Sequence, residues 1–337
     1  MRRGSIFQLL GIAAIAAVIT SLVAVLVPWL PVPASKEAGR IHFVFWFTTV
    51  ICIGVFAAVV AVMTYSVIKF RARPDDDSDG PPIHGHTGLE IAWTAMPAVL
   101  VTIIAIVSAI ELARNTHVPA NHMTVDVTAQ QFAWTFNYPQ SGNVTSPLLR
   151  LPLRKPVELK ITSLDVIHSF WVPEFGQKQD AVPGLTTNLV ITPTKVGTYP
   201  LICTELCGLG HAVMRSQAIV MTPGKFAAWV KSAKQGGSGG AAGKSVFAAN
   251  GCSSCHTFKP AGATGKIGPD LDNLAQYAKK AGQPLKAFVL QSIVNPNAYI
   301  APGYSANVMP QTFGTLPKSQ LDALVKFLTG SGKKGSR

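Results

Sequence analysis

The segment Cys203-Thr-Glu-Leu-Cys207-Gly-Leu-Gly-His211-Ala-Val-Met214 gathers two thiols, an imidazole and a thioether into one short stretch. Soft donors of this kind select copper or zinc over magnesium or calcium, so the stretch predicts a metal site. Cys207, His211 and Met214 already have the order and spacing of a mononuclear copper site, which leaves Cys203 as an additional thiolate. Two thiolates can bridge two coppers if a second imidazole arrives from elsewhere in the chain. His168, in Leu164-Asp-Val-Ile-His-Ser-Phe-Trp-Val-Pro173, is the candidate. The other readings of the pair are a Cys203–Cys207 disulfide in an exported loop and a Cys2His2 zinc site.

A second reactive set, Cys252-Ser-Ser-Cys255-His256, has the spacing of covalent c-type haem attachment. Its thiols would form thioethers with the haem vinyl groups, and the adjacent imidazole would meet the iron. A redox-active dithiol is the alternative, and it leaves His256 without a role. After His256 there is no further histidine and one methionine, Met309, so Met309 is the expected distal ligand. His/Met ligation raises the haem potential and leaves no open position, which predicts a haem that passes electrons and does not bind oxygen.

These sites need scaffolds, and the chain is long enough for several. It has 337 residues, of which 48% are hydrophobic. Three apolar runs, Ile6 to Leu30, Ile41 to Ile68 and Ile91 to Ile110, are each long enough for a membrane-spanning helix of about 20 residues. Arg2 and Arg3 precede the first run, and Lys69, Arg71 and Arg73 follow the second; basic residues stay on the cytoplasmic side, so the sequence after Glu111 is expected on the outer face. The first run, ending near Val32-Pro33-Ala34, reads equally as a cleaved signal peptide or a signal anchor over residues 1–35. Residues 36–112 then form a helical hairpin, with Cys52 inside it as a packing residue.

Residues 113–233 carry β patterning: Met123, Val125 and Val127 alternate, as do Val157, Leu159 and Ile161, with Pro and Gly at the breaks, which predicts an all-β Greek-key sandwich. Residues 234–243, Lys-Gln-Gly-Gly-Ser-Gly-Gly-Ala-Ala-Gly, are expected to be a flexible linker. A Gly-rich tether of about nine residues spans roughly 15 to 18 Å r.m.s., so the segment is either a short leash that keeps two centres close or a plain spacer. Residues 244–332 hold the haem motif and close on Leu321, Leu324, Val325 and Leu328 at helical spacing. Lys and Arg number 7 against 7 Asp and Glu in residues 1–112, 11 against 6 in 113–235, and 11 against 3 in 236–337, so the whole net charge of +13 lies in the exported part. Anionic headgroups or an acidic electron donor suit that charge, and nucleic acid does not suit the outer side of a membrane.

Residues 40 to 232 resemble subunit II of the haem-copper cytochrome c oxidases, and residues 244 to 330, including Gly268-Pro-Asp-Leu271, resemble a class I cytochrome c. The resemblance implies a cupredoxin fold and a dinuclear CuA centre with ligands at His168, Cys203, the carbonyl of Glu205, Cys207, His211 and Met214. It implies a caa3-type oxidase in a bacterial cell membrane, multi-pass, with copper and haem domains on the outer face. Electrons would come from an external donor, such as a bc-type complex or cytochrome c, and leave to subunit I, where oxygen is reduced. Nothing in this chain could hold the high-spin haem or the third copper. The resemblance further implies a proton-uptake role for Glu90, a magnesium ion on the Glu205 carboxylate at the subunit I interface, and electron transfer near Trp134. Relatives served by a separate cytochrome c have Gln-Trp-x-Trp where this chain has Gln131-Phe132-Ala133-Trp134, which favours delivery from the fused haem. The alternatives are the corresponding subunit of a CuA-type nitric oxide reductase, or a membrane-tethered carrier; the hairpin and Glu90 favour the oxidase.

Overall fold

The computed structural model describes residues 3–71, 82, 84–235 and 240–330. Arg2, Arg73 and linker residues Gly236, Gly237, Ser238 and Gly239 lie outside the described residues. The chain divides into two compact units, Met1–Pro33 with Gly39–Thr116, and Ala34–Ala38 with His117–Arg337.

The first unit holds helix α1 (Arg3–Leu26), helix α2 (Lys36–Lys69) from Gly39 onward, and helix α3 (Thr87–Thr116). All three are long and apolar enough to cross a membrane. Their apolar windows are almost wholly uncovered by protein; Val50, Phe56 and Val62 of α2 and Ile91, Val99 and Ile106 of α3 are exposed, as residues that face lipid must be. α2 outruns its apolar run at both ends, with Glu37 in its first turn and Lys69 in its last, each favourable to the helix dipole. Arg40 near the start of α2 donates to the carbonyl of Arg114 at 2.9 Å and to Asn115 Oδ1 at 3.1 Å near the end of α3. At the other end of α3, Glu90 Oε1 accepts the His86 N–H at 3.0 Å while His86 Nδ1 accepts the Leu89 N–H at 3.2 Å. That reciprocal cap satisfies backbone donors which have no partner within the helix. Pro97 sits inside α3.

In the second unit ten strands follow: β1 (Met123–Gln130), β2 (Ala133–Tyr138), β3 (Val144–Ser146), β4 (Leu149–Pro152), β5 (Val157–Ser163), β6 (His168–Trp171), β7 (Lys178–Ala181), β8 (Thr187–Ile191), β9 (Gly197–Cys203) and β10 (Arg215–Met221). They form two five-stranded sheets, β3-β2-β1-β5-β8 and β4-β10-β9-β6-β7. β1 runs parallel to β5 and β4 to β10, and the other pairings are antiparallel. Along β1, Met123, Val125, Val127 and Ala129 are buried in turn, and β5 contributes Val157, Leu159 and Ile161 to the same core, because side chains of one strand point alternately to its two faces. Helix α4 (Pro223–Gln235) closes one side, with Trp229 edge-on to Tyr138 at 5.0 Å and the Arg150 guanidinium 4.9 Å from the Trp229 ring centroid.

The haem-motif half carries α5 (Gly240–Ala249), α6 (Cys252–Cys255), a small β11–β12 pair (Thr257–Phe258, Ala263–Thr264), α7 (Leu274–Lys280), α8 (Leu285–Val294) and α9 (Lys318–Gly330). Phe247, Phe258, Phe288, Leu324 and Val325 build a core separate from that of the sandwich. The linker is where structure and composition differ: Lys234 and Gln235 end α4, and Gly240 to Gly243 open α5. Packing overrides the low helix propensity of glycine there. A Cβ on Gly243 would collide with the Ala323 carbonyl and Phe327 Cβ of α9, so the absent side chain is what lets the two helices cross closely.

Ala34–Ala38 belongs with the sandwich. Ala34 donates its N–H to the Glu174 carbonyl at 2.8 Å and accepts from the Thr194 N–H at 2.8 Å. Ser35 Oγ bonds the Phe175 carbonyl and accepts the Ala38 N–H, and the buried Glu37 Oε2 accepts the Thr192 N–H at 2.8 Å.

Candidate functional site

The soft donors come together because two neighbouring strands end beside each other. β6 pairs with β9 through Phe170 and Cys203, and β9 turns back into β10 through Arg215 and Ile202. The loop 203–214 is therefore a hairpin connection. Its base is fastened by the Cys203 N–H to the Met214 carbonyl at 3.2 Å and the Thr204 N–H to the Ser169 carbonyl at 3.0 Å. Cys203 Sγ and Cys207 Sγ stand 3.9 Å apart, with His168 Nδ1 3.9 Å from the first and His211 Nδ1 3.5 Å and Met214 Sδ 3.8 Å from the second. The Glu205 carbonyl lies 3.2 Å from Cys203 Sγ. His168, Cys203, Cys207 and Met214 are buried, His211 is half-buried, and the Glu205 side chain is exposed. A disulfide requires sulfurs about 2.05 Å apart, whereas two thiolates about 2.3 Å from a shared metal span close to the separation seen. Both thiols are free. This donor set fits copper and does not form the disulfide.

The charges around the pair are arranged to hold it. The hydrogen bond between the sulfurs pulls the Cys203 thiol well below its ordinary range against the opposing effect of burial, and together with burial it pushes that of Cys207 up. His168 Nε2 meets Asp165 Oδ1 at 2.9 Å, which turns Nδ1 toward the sulfurs. Burial alone would lower the His168 imidazole, but the bonds to Asp165 and Cys203 outweigh it and the net shift is up. Asp165 is likewise raised by burial, yet its bonds with His168 and the Gln131 and Val166 N–H groups bring it below the usual carboxylate range. Trp134 is fully buried, edge-on to His168 at 6.2 Å and to Phe170 at 5.7 Å between ring centroids.

The second set lines one cavity. Cys252, Cys255, His256 and Met309 share it with Leu271, Phe288 and Val289. His256 Nδ1 faces the Pro269 carbonyl at 2.8 Å, leaving Nε2 free, and the Gly268 backbone lies so close to the imidazole that a Cβ would come 2.5 Å from its Cε1. Burial lowers the His256 imidazole, favouring the neutral form that a metal needs. Paired thiols, a neutral oriented imidazole and a thioether around an apolar cavity fit a haem c.

The structure thus brings together the six copper positions expected from the sequence, and separately the four haem positions. Glu90 belongs to the helical unit, where it caps α3. Sequence reasoning missed Gln131, whose Nε2 donates to the Cys207 carbonyl at 2.6 Å and whose N–H donates to Asp165 Oδ2 at 2.7 Å. It also missed the carbonyl of Pro269 as the partner of His256, although the Gly268-Pro269 signal was there to be used.

A soft-donor copper site on a β-sandwich, a c-type haem domain and three membrane-length helices define a membrane-bound electron-transfer protein. Residues 21–111 match the transmembrane domain of cytochrome c oxidase subunit II, residues 143–222 its periplasmic domain, and residues 240–331 cytochrome c. Cytochrome c oxidase subunit 2 of Synechocystis sp. is 34% identical over 249 residues, 60% of this chain and 74% of the relative. Cytochrome c oxidase subunit 2 of Alkalihalophilus pseudofirmus is 29% identical over 318 residues, 88% of each. The crystal structure of the periplasmic domain of subunit II of cytochrome oxidase of Bradyrhizobium japonicum is 31% identical, covering 35% of this chain and 98% of that one with a TM-score of 0.34. This chain belongs to the cytochrome c oxidase subunit II family and carries a C-terminal cytochrome c domain. It is a copper- and haem c-bearing membrane subunit of a haem-copper terminal oxidase, alongside subunit I and the other oxidase subunits, and oxygen is reduced in a partner chain.

Proposed function

We propose that this chain is the subunit through which electrons enter a caa3-type oxidase, its haem c and a dinuclear copper centre carrying single electrons from a bc-type complex or cytochrome c to subunit I. The observation that carries this reading is the pair of free thiols 3.9 Å apart with an imidazole nitrogen beside each, on the same chain as a complete haem c donor set. His168, Cys203, the Glu205 carbonyl, Cys207, His211 and Met214 hold the coppers. Cys252 and Cys255 bind the haem covalently, and His256 and Met309 ligate its iron.

The protein's own part is to keep these donors still and dry. Asp165 fixes the ring of His168 and its tautomer, a role that partners of metal-bound histidines commonly have. The buried thiols sit on a sandwich whose strands cannot shift without breaking their ladders, which limits rearrangement when the centre changes charge. Trp134, packed on His168, belongs to the electron route. The exposed Glu205 carboxylate is available to a magnesium ion at the subunit I interface. Glu90 takes up protons at the inner mouth of α3, and the copper and haem domains face outward. Unchanged turnover and proton uptake in Glu90→Gln would remove that role.

The test is metal, haem and EPR analysis of the purified complex together with its gas chemistry. Two coppers sharing one unpaired electron, one low-spin haem c per chain and oxygen consumption are expected. A single copper, a zinc, or reduction of nitric oxide in place of oxygen would overturn the proposal.

A further inference from the structure

The turn between β1 and β2 touches both redox sites. On the copper side, Gln131 Nε2 holds the Cys207 carbonyl, and the Phe132 ring packs against the backbone of the copper loop. A Cβ on Gly210, the neighbour of His211, would enter that ring, and one on Gly208, the neighbour of Cys207, would come 2.8 Å from Gln131 Nε2 and 3.3 Å from Phe132 Cζ. On the haem side, Gln131 and Phe132 form part of the wall of the cavity lined by Cys252, Cys255 and His256. Gly251, which precedes Cys252 and has φ of 68°, lies so close that a Cβ would collide with Ala133 Cβ and come 3.3 Å from the Phe132 carbonyl oxygen. The buried Gln130 and Asn250 side chains meet at 3.5 Å beside it, and Cys255 packs against the core of the sandwich.

We propose that Gln131 and Phe132 are positioning residues that seat the haem domain on the copper loop, so that the haem works from a fixed dock and not by searching on its tether. The proposal rests on the reading of the chain as a copper and haem electron carrier. One continuous path across the dock runs Cys252–Gly251, Phe132, Gly210–His211, with backbone in contact at both crossings. One electron crosses, oxidising the haem by one and reducing the copper pair by one, with no bond made or broken and no proton required.

Charge argues the same way. Both halves of the unit carry excess Lys and Arg, 10 against 6 in residues 117–235 and 11 against 3 in 236–337, so a loose encounter between them would be repelled and would depend on salt. Among the described residues no ion pair crosses the dock. Between the two halves it is held by shape, by the missing side chain at Gly251 and by the Gln130–Asn250 amide contact, while Gly208 and Gly210 let the turn lie close on the copper loop.

The experiment uses the full chain in the assembled oxidase. The haem is photoreduced and the arrival of one electron at copper is timed, after absorption and EPR spectra have established that both centres are present. Inserting about a dozen Gly/Ser residues between 236 and 239 should change the rate by less than about twofold and leave it insensitive to salt; a tethered search would instead slow with linker length, because effective concentration falls. Ala133→Leu, which enlarges the buried side chain that meets Gly251, should slow the transfer several-fold, because the overpacked contact pushes the haem half off the copper loop. Gly251→Leu should do the same. Backbone hydrogen exchange in these two variants should rise at 207–213 and 250–256 together. A rate that follows linker length, or one that ignores Ala133→Leu, overturns the dock, as does exchange that rises in only one of the two segments. Spectra lacking copper or haem in the unmodified protein would instead defeat the underlying functional reading, so the two failures are distinguishable.

Discussion

The copper half of the second unit closes its core without help from a metal: Val125, Val127, Leu159, Ile161, Phe170 and Leu201 are fully buried between two sheets, and the ligands sit at one end, on the β9–β10 hairpin and, for His168, at the start of β6. The haem half is organised the other way round, with Leu271, Phe288, Val289 and Met309 lining a cavity that its own side chains leave unfilled. A sandwich can build a site on its rim, whereas this small helical domain leaves the middle of its apolar interior to its cofactor. The two cofactors should therefore contribute very differently to folding.

The largest consequence is for haem attachment. Cys252→Ala with Cys255→Ala should abolish cooperative unfolding of the haem half while the copper half keeps its own calorimetric transition; a haem half that still melts cooperatively would erase the contrast. Copper removal by a chelator supplies the converse, and strand amides in β1, β5 and β9 should stay protected from exchange throughout. Within the copper site, Asp165→Ala should weaken copper binding by about 10- to 100-fold, the usual cost of losing a partner of a metal-bound histidine, read by competition with a chelator of known affinity. Gly243→Val tests the helix crossing of the haem half: overpacking there should cost about 1–3 kcal/mol, seen in the haem transition and not in the copper one.

The smallest effect is alkaline. Burial holds the Tyr138 phenol well above its ordinary range. The unfolded chain then releases this proton near pH 10 while the folded chain retains it, so the folded state binds more protons and stability falls as pH rises above about 10. Tyr138→Phe should flatten that decline in the copper transition. An unchanged alkaline slope would mean that other groups cause it.

Donor types and spacing made both ligand sets legible in the sequence. Cys203, Cys207, His211 and Met214 lie within one loop, Cys252 to His256 are contiguous, and Met309 had no competitor. The sandwich was legible where strands have one wet and one dry face, as at Met123 to Val127. What stayed hidden depends on tertiary approach. Parallel pairing of β1 with β5 leaves no local trace, and Gln131 gains its role only because the β1–β2 turn folds against the copper loop. The glycines at 240 and 243 read as slack chain, yet Gly243 is required by close helix packing.

The Ala34–Ala38 stretch has a bearing on how the chain matures. Ala34 is 1% exposed and bonded through both its N–H and its carbonyl, and Ser35 beside it is 3% exposed. A peptidase must draw an extended, accessible segment into its cleft, so once the sandwich has closed the bond after Ala34 is out of reach. Cutting and folding compete for the same few residues: a chain cut first would bring a charged new terminus to a buried position, and a chain folded first keeps α1. The intact mass of the protein recovered from membranes records which event came first.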